Sequence, residues 1–376
     1  MKILTNFRFA KMAGIAQALS SFIDFVDLEA NNDTEIVGVD VWGTGSPESR
    51  LREGSFSLIS RVVDMPNIID AVKSSTSIAE LEQRYRAVID AYREAIEAEN
   101  PDVILINGTY FLPWCLLRAS RKFAIPVVVH YHGSITKETE HYKQPQIREL
   151  FHQMERQFDN HSNFYIFPSQ LIKTVVENEV FRHPIKKSAI LANSVPLHFF
   201  DSKPRTKNNR IGIIGRWTRI KNPQFITRLA KYNAKHGNKF SLHIVSDLKK
   251  DTAQYKELKN LAVFTRPMDN LQLSAFYASM SVVISPSHFE TYGNVAKEAL
   301  ASGVPALVNS QMGVAETFHD LGLDDWITDF KSVRSVYAKI QEISGKEVPV
   351  SSRIRLQQRY SSQYIHGKML KLIKSA

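Results

Sequence analysis

The 376-residue chain has one cysteine, Cys115, so no disulfide can form within it, and a reducing cytoplasm fits. It has no Cys/His cluster at metal-ligand spacing. It has no D-x-D, so the usual acidic clamp for a metal-held diphosphate is missing. It has neither a P-loop nor a G-x-S-x-G elbow. No apolar run reaches the length of a membrane span. MKILTNFRFAKM carries charge too early, and too short an apolar stretch, for a signal peptide. Nothing repeats at a fixed period. Acids are missing from two stretches: Lys203–Lys221 holds seven basic residues and Val348–Ala376 six. Together these outweigh the net charge of +10, so the basicity is local. Nucleic acid, an anionic membrane and anionic small molecules all remain open as partners.

What is present is an ordinary globular composition, 43% hydrophobic and 23% charged, with length for two domains. Apolar runs alternate with helical periodicity. Lys2–Asn6 reads as a strand, and Ala13-Gly14 breaks it from a helix carrying Ile15, Leu19, Phe22 and Val26. Thr34–Val41 reads as a second strand. Residues 43 to 60, rich in Gly, Ser and Arg, read as a mobile loop. A long helix is expected over Ser77–Ala98, then the buried strand PDVILIN. A helix over Pro113–Phe123 follows, read as core packing with a membrane-surface role as the alternative. IPVVVHYH, NFYIFPS and SAILANS are further strands, with a helix near Gln146–Phe158. The polar segment Asp201–Arg210 reads as a linker. The pattern then restarts with RIGIIG, a helix near Pro223–His236, FSLHIVS, LAVFT, a helix near Leu271–Ala278, and SVVISPS. The Arg353–Ile373 tail reads as one basic helix. Such alternation implies doubly wound parallel sheets.

Three stretches carry chemistry. In SPSHFETYGNVAKEALASGVPALV, a strand leads through Tyr292-Gly293-Asn294 into a helix, with Glu290 and Glu298 eight residues apart. Gly293 relieves a sharp turn, and the N–H groups of Gly293, Asn294 and Val295 can face an anion. Glu298, farther along the helix, can accept two hydrogen bonds from a vicinal diol. Val295, Ala296, Ala299 and Leu300 orient that helix. The second stretch is IGIIGRWTRIKN, where Arg216 and Lys221 follow a strand end and suit a diphosphate, one bidentately and one as a point charge. A solvated basic loop explains these two cations equally well when they stand alone. The third is His132, beside Gly133 at another strand end. His130, on the same face, reads as structural.

These elements together resemble the retaining GT-B glycosyltransferases of the family 4 type. The likeness covers most of the chain and is most specific from Gly215 to Glu316. The family's G-R-x4-K element is matched by Gly215, Arg216 and Lys221, and its E-x7-E element by Glu290 to Glu298. The A-x-G-x-P turn is matched by Ala301, Gly303 and Pro305, and the late glutamate by Glu316. In the first half, Gly14, His132, Ser169 and the Asn193/Val195 turn match family positions. Departures are Ala13, Ser194, Ser246 and Met312, each where a glycine is usual. The resemblance implies two Rossmann-like domains facing a cleft: an acceptor domain over 1–200, a donor domain over 210–352, and a terminal helix over 353–376 crossing back to the first.

It also implies roles. Arg216 and Lys221 would bind and stabilise the leaving pyrophosphate. Glu298 would hold the ribose. Glu290 and the backbone of Thr291, Tyr292, Gly293 and Asn294 would hold the sugar and distal phosphate. Gly14 would approach the donor, His132 would sit near the anomeric carbon, and Arg266 would lie near the base. The expected reaction is metal-independent transfer of a hexosyl group, with retention, from a nucleotide-sugar to a glycan or glycolipid hydroxyl. UDP is the expected nucleotide, and no other cofactor is expected. Peripheral contact with the inner face of the membrane is compatible with the basic tail. The rivals are a catalytically inactive nucleotide-sugar binder and, from another class, a nucleic-acid binder. Against the latter, aromatic residues are not interleaved with the basic runs.

Overall fold

The computed structural model describes residues 1–8, 14–29, 33–42, 49–202 and 208–376. Ala13 and positions 203–207 of the linker segment lie outside them, as do residues 43–48. The chain divides into two compact units, Met1–Leu191 with His366–Ala376, and Ala192–Ile365.

The first unit is built on eight strands: β1 (Lys2–Asn6), β2 (Glu35–Trp42), β3 (Ser49–Glu53), β4 (Phe56–Val62), β5 (Val103–Asn107), β6 (Val127–His130), β7 (Phe164–Phe167) and β8 (Ser188–Ile190). Their order is β3-β4-β2-β1-β5-β6-β7-β8, and every pairing except β3–β4 is parallel. Parallel pairing demands crossover helices on both faces, which is why β5 is buried along its whole length. The chain's last helix, Ser362–Lys374, contributes to this unit through His366. The His366 ring lies against Phe22 and Phe25, and its Nε2 lies 3.0 Å from the Ser21 hydroxyl.

The second unit holds β9 (Arg210–Ile214), β10 (Ser241–Val245), β11 (Ala262–Thr265), β12 (Val282–Ser285), β13 (Ala306–Asn309) and β14 (Ile327–Thr328), in the order β11-β10-β9-β12-β13-β14, all parallel. From β9 the chain winds to β10 on one side and later returns to β12 on the other. The ends of β9 and β12 therefore flank a switch point, where open α/β sheets leave a crevice. In the first unit the equivalent point lies between β1 and β5. There Asn6 Nδ2 donates to the Asn107 carbonyl at 3.0 Å, and the Asn107 amide donates to Asn6 Oδ1 at 2.9 Å.

Three expectations are corrected. The segment expected as a mobile loop contains the β3–β4 hairpin. Gly54 takes φ 55 at its turn, and the Ser55 amide donates to Asp27 Oδ1 at 2.7 Å. Pairing with β2 and burial of Leu58 and Ile59 override the polar composition. The helix expected over Ser77–Ala98 is two, Ile78–Arg84 and Arg86–Glu99. Tyr85 breaks it: its ring is fully buried and its hydroxyl donates to the Pro66 carbonyl at 2.9 Å. Apolar periodicity runs on across the break, so spacing does not show it. The basic tail is likewise two helices, Val350–Tyr360 and Ser362–Lys374. Around Ser361 the backbone bonds to Val195 instead, with Val195 N donating to Tyr360 O at 2.7 Å and Ser362 N to Val195 O at 3.1 Å.

Helix Phe111–Ser120 packs in the core. Trp114, Leu116 and Leu117 are buried, and Trp114 Nε1 donates to Gln157 Oε1 at 3.1 Å. Trp114→Ala is expected to destabilise the protein by about 3–5 kcal/mol in urea unfolding, through the cavity it opens.

Candidate active site

The crevice at the ends of β9 and β12 is lined by Gly215, Arg216, Trp217, Lys221, Ser285 and Ser287, among others. After β9, Gly215 leads to the exposed Arg216. The Trp217 amide donates to Asp247 Oδ1 at 2.6 Å, pinning the loop to the end of β10. A single 3₁₀ turn, Arg219–Lys221, then brings Lys221 back over the strand end. Asn222 follows in a left-handed conformation, φ 57. Its Oδ1 caps the next helix at Phe225 N (3.2 Å), while its Nδ2 donates to the Pro286 carbonyl at 3.1 Å. That one side chain joins the loop after β9 to the loop after β12. The Asn-Pro pair at 222–223 was the signal available for it.

The join brings the two motifs together. Lys221 Nζ lies 2.8 Å from Glu290 Oε2, and both side chains are about one-fifth exposed. Ser287 donates to the other oxygen, Glu290 Oε1, at 2.6 Å. The Gly313 amide donates to the Glu290 carbonyl at 3.0 Å, so the late glycine turn holds this loop from behind. Next comes Tyr292, whose buried hydroxyl lies 2.6 Å from Thr317 Oγ1. Its side chain is thus engaged in the core, and only its backbone is placed to serve a ligand. Gly293, at φ 107, opens the helix Asn294–Ala301. A Cβ there would lie 2.5 Å from Met312 Cε and 3.3 Å from Val314 Cγ1. Gly293 is therefore favoured by its backbone angle, while an added Cβ would also have to displace the end of the Met312 side chain.

Glu298 lies one turn along that helix, half-buried, where it accepts the Tyr277 hydroxyl at 2.8 Å. Burial raises its pKa, partly opposed by that hydrogen bond and by Lys297. Lys297 was not anticipated. It is fully buried beside Ala296, Ala299 and Leu300 of the expected apolar stripe, with Nζ bonded to the Asn193 carbonyl and lying 4.3 Å from the Tyr292 ring centre. Burial holds its pKa far below the usual lysine value. Asn193 Nδ2 also donates to Asn294 Oδ1 at 3.0 Å, tying the Asn193 turn to the same helix. Arg266 is exposed at the end of β11, two strands from β9 and outside the crevice lining.

In the first unit, His132 follows β6, and its Nε2 lies 2.7 Å from Asn107 Oδ1. The His130 ring lies 4.0 Å away, centre to centre. Burial drives the His132 pKa down to about 4, and that of His130 well below the ordinary value. His132 is accordingly a neutral imidazole at physiological pH, with Asn107 as the acceptor for its Nε2–H. Asn107 is 25 residues away in sequence, so no local spacing announced it. Gly14 begins the first helix, Gly14–Leu28. Among the described residues no group of three or more His, Cys, Asp and Glu side chains could hold a metal ion.

Two predictions follow from this geometry. Gly293→Ala should cost about 1–3 kcal/mol in thermal unfolding, from the strain of a side chain at positive φ. The buried histidines give a signed pH dependence. Their folded pKa lies below the unfolded value, so their contribution is present above about pH 6.5 and is lost as pH falls towards about 4. His132→Gln should flatten the fall in melting temperature between neutral pH and pH 5, measured by differential scanning calorimetry.

The family model described as Glycosyl transferases group 1 matches residues 194–360, and that described as Glycosyltransferase Family 4 matches residues 37–198. An uncharacterized 41.2 kDa protein in the cps region of Klebsiella pneumoniae is 28% identical over 123 residues, 33% of each chain. A GDP-mannose-dependent alpha-mannosyltransferase of Corynebacterium glutamicum is 25% identical over 251 residues, 62% of this chain and 57% of that one. The chain thus spans a third to just over half the length of these two relatives. The solved structure of sucrose-phosphate synthase from Thermosynechococcus elongatus covers 100% of this chain and 99% of its own, at TM-score 0.77 and 14% identity. With two parallel-sheet α/β units and the two family models lying side by side from residue 37 to 360, the chain belongs to the GT-B glycosyltransferases of the family 4 type.

Proposed function

We propose that the protein moves a hexosyl group from a nucleotide-sugar to a hydroxyl of a glycan or lipid-linked acceptor, with retention and without a metal ion. The observation that carries this is the Lys221–Glu290 pair at 2.8 Å in the switch-point crevice, with Arg216 exposed beside it. A donor diphosphate entering there meets two cations and the amides that open the Asn294–Ala301 helix. As Lys221 turns to the phosphate, Glu290 is released to accept sugar hydroxyls. The bond between the anomeric carbon and the phosphate oxygen breaks, and the acceptor oxygen bonds to that carbon on the same face. The departing phosphate oxygen takes the acceptor proton. Arg216 and Lys221 stabilise the negative charge that builds on the leaving group. Glu298 accepts the two ribose hydroxyls, with Tyr277 holding its carboxylate. Neutral His132 faces the transferred sugar as a hydrogen-bonding group. Arg266, outside the crevice lining, would meet the base only if the nucleotide extends across β10 towards the end of β11.

UDP is the nucleotide favoured by the resemblance, while the Corynebacterium relative is named for GDP-mannose. A lipid-linked or capsular acceptor is in keeping with the naming of the Klebsiella relative after a cps region, and with the basic tail meeting an anionic membrane at the cytoplasmic face.

The test is a thermal-shift panel with UDP, GDP, ADP and their sugar conjugates, with and without divalent metal. A ligand at 100 times its Kd adds about 2.7 kcal/mol, a shift of several degrees. One nucleotide family should shift the protein independently of metal, and Glu298→Ala should abolish the shift. No shift from any nucleotide would overturn the donor site. Arg216→Ala and Lys221→Ala should each lower kcat by about 10²–10³-fold, as loss of one charge-stabilising donor does. Nucleotide binding without turnover in the unaltered protein would instead identify an inactive nucleotide-sugar binder.

A further inference from the structure

Glu155 is a fully buried acid that the proposed chemistry does not use. It lies in the last turn of helix Pro145–Arg156, and it reaches the turn directly after His132. Its Oε2 accepts the Ser134 hydroxyl at 3.1 Å and the Thr136 amide at 2.8 Å. Its Oε1 is buried with no hydrogen-bond partner among the described residues. Ser134, itself fully buried, also caps the short helix Ile135–Thr139 at Lys137 N. Between the two lies Gly133, whose carbonyl accepts the Thr109 hydroxyl at 3.0 Å. The segment His132–Thr136 is therefore held at one end by Asn107, in the middle by Thr109, and at the far end by Glu155.

A carboxyl group in such a site carries a desolvation cost that a packed apolar side chain would avoid. Its two accepted hydrogen bonds both serve this turn. We propose that Glu155 is a positioning residue for His132, fixing through Ser134 and Thr136 the turn that presents the imidazole beside Asn107. This rests on the reading of His132 as the group that faces the transferred sugar. Burial raises the Glu155 pKa to about 7, against the pull of its two partners, and Glu138 adds to the rise. An acceptor that is neutral in every state, glutamine, should then do the same work.

The experiment follows the His132 ring by NMR in histidine-labelled protein, assigned against His132→Gln, together with turnover and nucleotide affinity. In the unaltered protein and in Glu155→Gln, His132 should remain neutral down to pH 5. In Glu155→Leu the turn loosens, the ring meets water, and its titration should move up towards about 6.5. Turnover should fall by about 10²-fold in Glu155→Leu, as for a misplaced reacting geometry, with UDP or GDP affinity unchanged, and Glu155→Gln should restore it. A folded Glu155→Leu protein with unmoved His132 titration and unmoved kcat overturns the proposal, as does a glutamine variant that restores neither. If the leucine variant fails to fold, Ser134→Ala removes one of the two ties, and an unchanged His132 titration there also overturns it. Should the unaltered protein transfer no sugar, the NMR arm still decides the tie, and only the functional reading fails.

Discussion

Parallel strand pairing is the constraint on which both units depend. A parallel strand cannot be joined to its neighbour by a tight turn, so its connection must be a longer crossover, in most cases here one that carries a helix. The parallel strands of each sheet then deliver their carboxyl ends to one edge, and the winding must reverse somewhere along it. In the second unit that reversal falls between the adjacent strands β9 and β12 and places the loops Gly215–Asn222 and Pro286–Gly293 side by side. In the first it falls between β1 and β5, at whose ends lie Asn6 and Asn107, with His132 at the end of the neighbouring β6. The candidate chemistry in each unit follows from sheet order before any side chain is considered.

Electrostatics then distinguishes the two edges. The second unit collects cations: Lys221 and Arg216 reach the crevice, and a helix opens toward it. Glu290 pairs with Lys221 at 2.8 Å and holds it over the strand end. The first unit collects neutral polar groups. His130 and His132 lose their charge to burial, Asn6 and Asn107 bond to each other, and Asn107 bonds to the His132 imidazole. Exposure keeps the charge in one environment, and burial removes it in the other. Buried polar groups behind both edges, Lys297 in one and Glu155 in the other, are held by specific partners that brace the loops.

Much of this was legible in the residues. Continuous apolar runs marked the parallel strands, and 3.6-residue spacing marked the crossover helices. Charged residues at fixed separation, Arg216 to Lys221 and Glu290 to Glu298, marked the candidate site, because each pair lies within a short stretch running from a strand end into the following turn or helix. What was misread has a common cause. Tyr85 breaks a helix whose periodicity continues, the β3–β4 hairpin forms in a polar segment, and Ser361 interrupts a basic helix. In each case a distant partner, Pro66, β2 or Val195, outweighs local preference.

The sequence by itself determined the fold class and which residues carry charge at strand ends, because periodicity and local spacing depend only on neighbours along the chain. Tertiary structure alone decided that Lys221 pairs with Glu290, that Asn107 selects the His132 nitrogen, that Tyr277 holds Glu298, and that Lys297 and Glu155 lie buried. Those contacts join residues 21 to 69 positions apart, or depend on burial. They arise when separate strands and helices pack, and packing sets both the partner and the dielectric that determines whether a group keeps its charge.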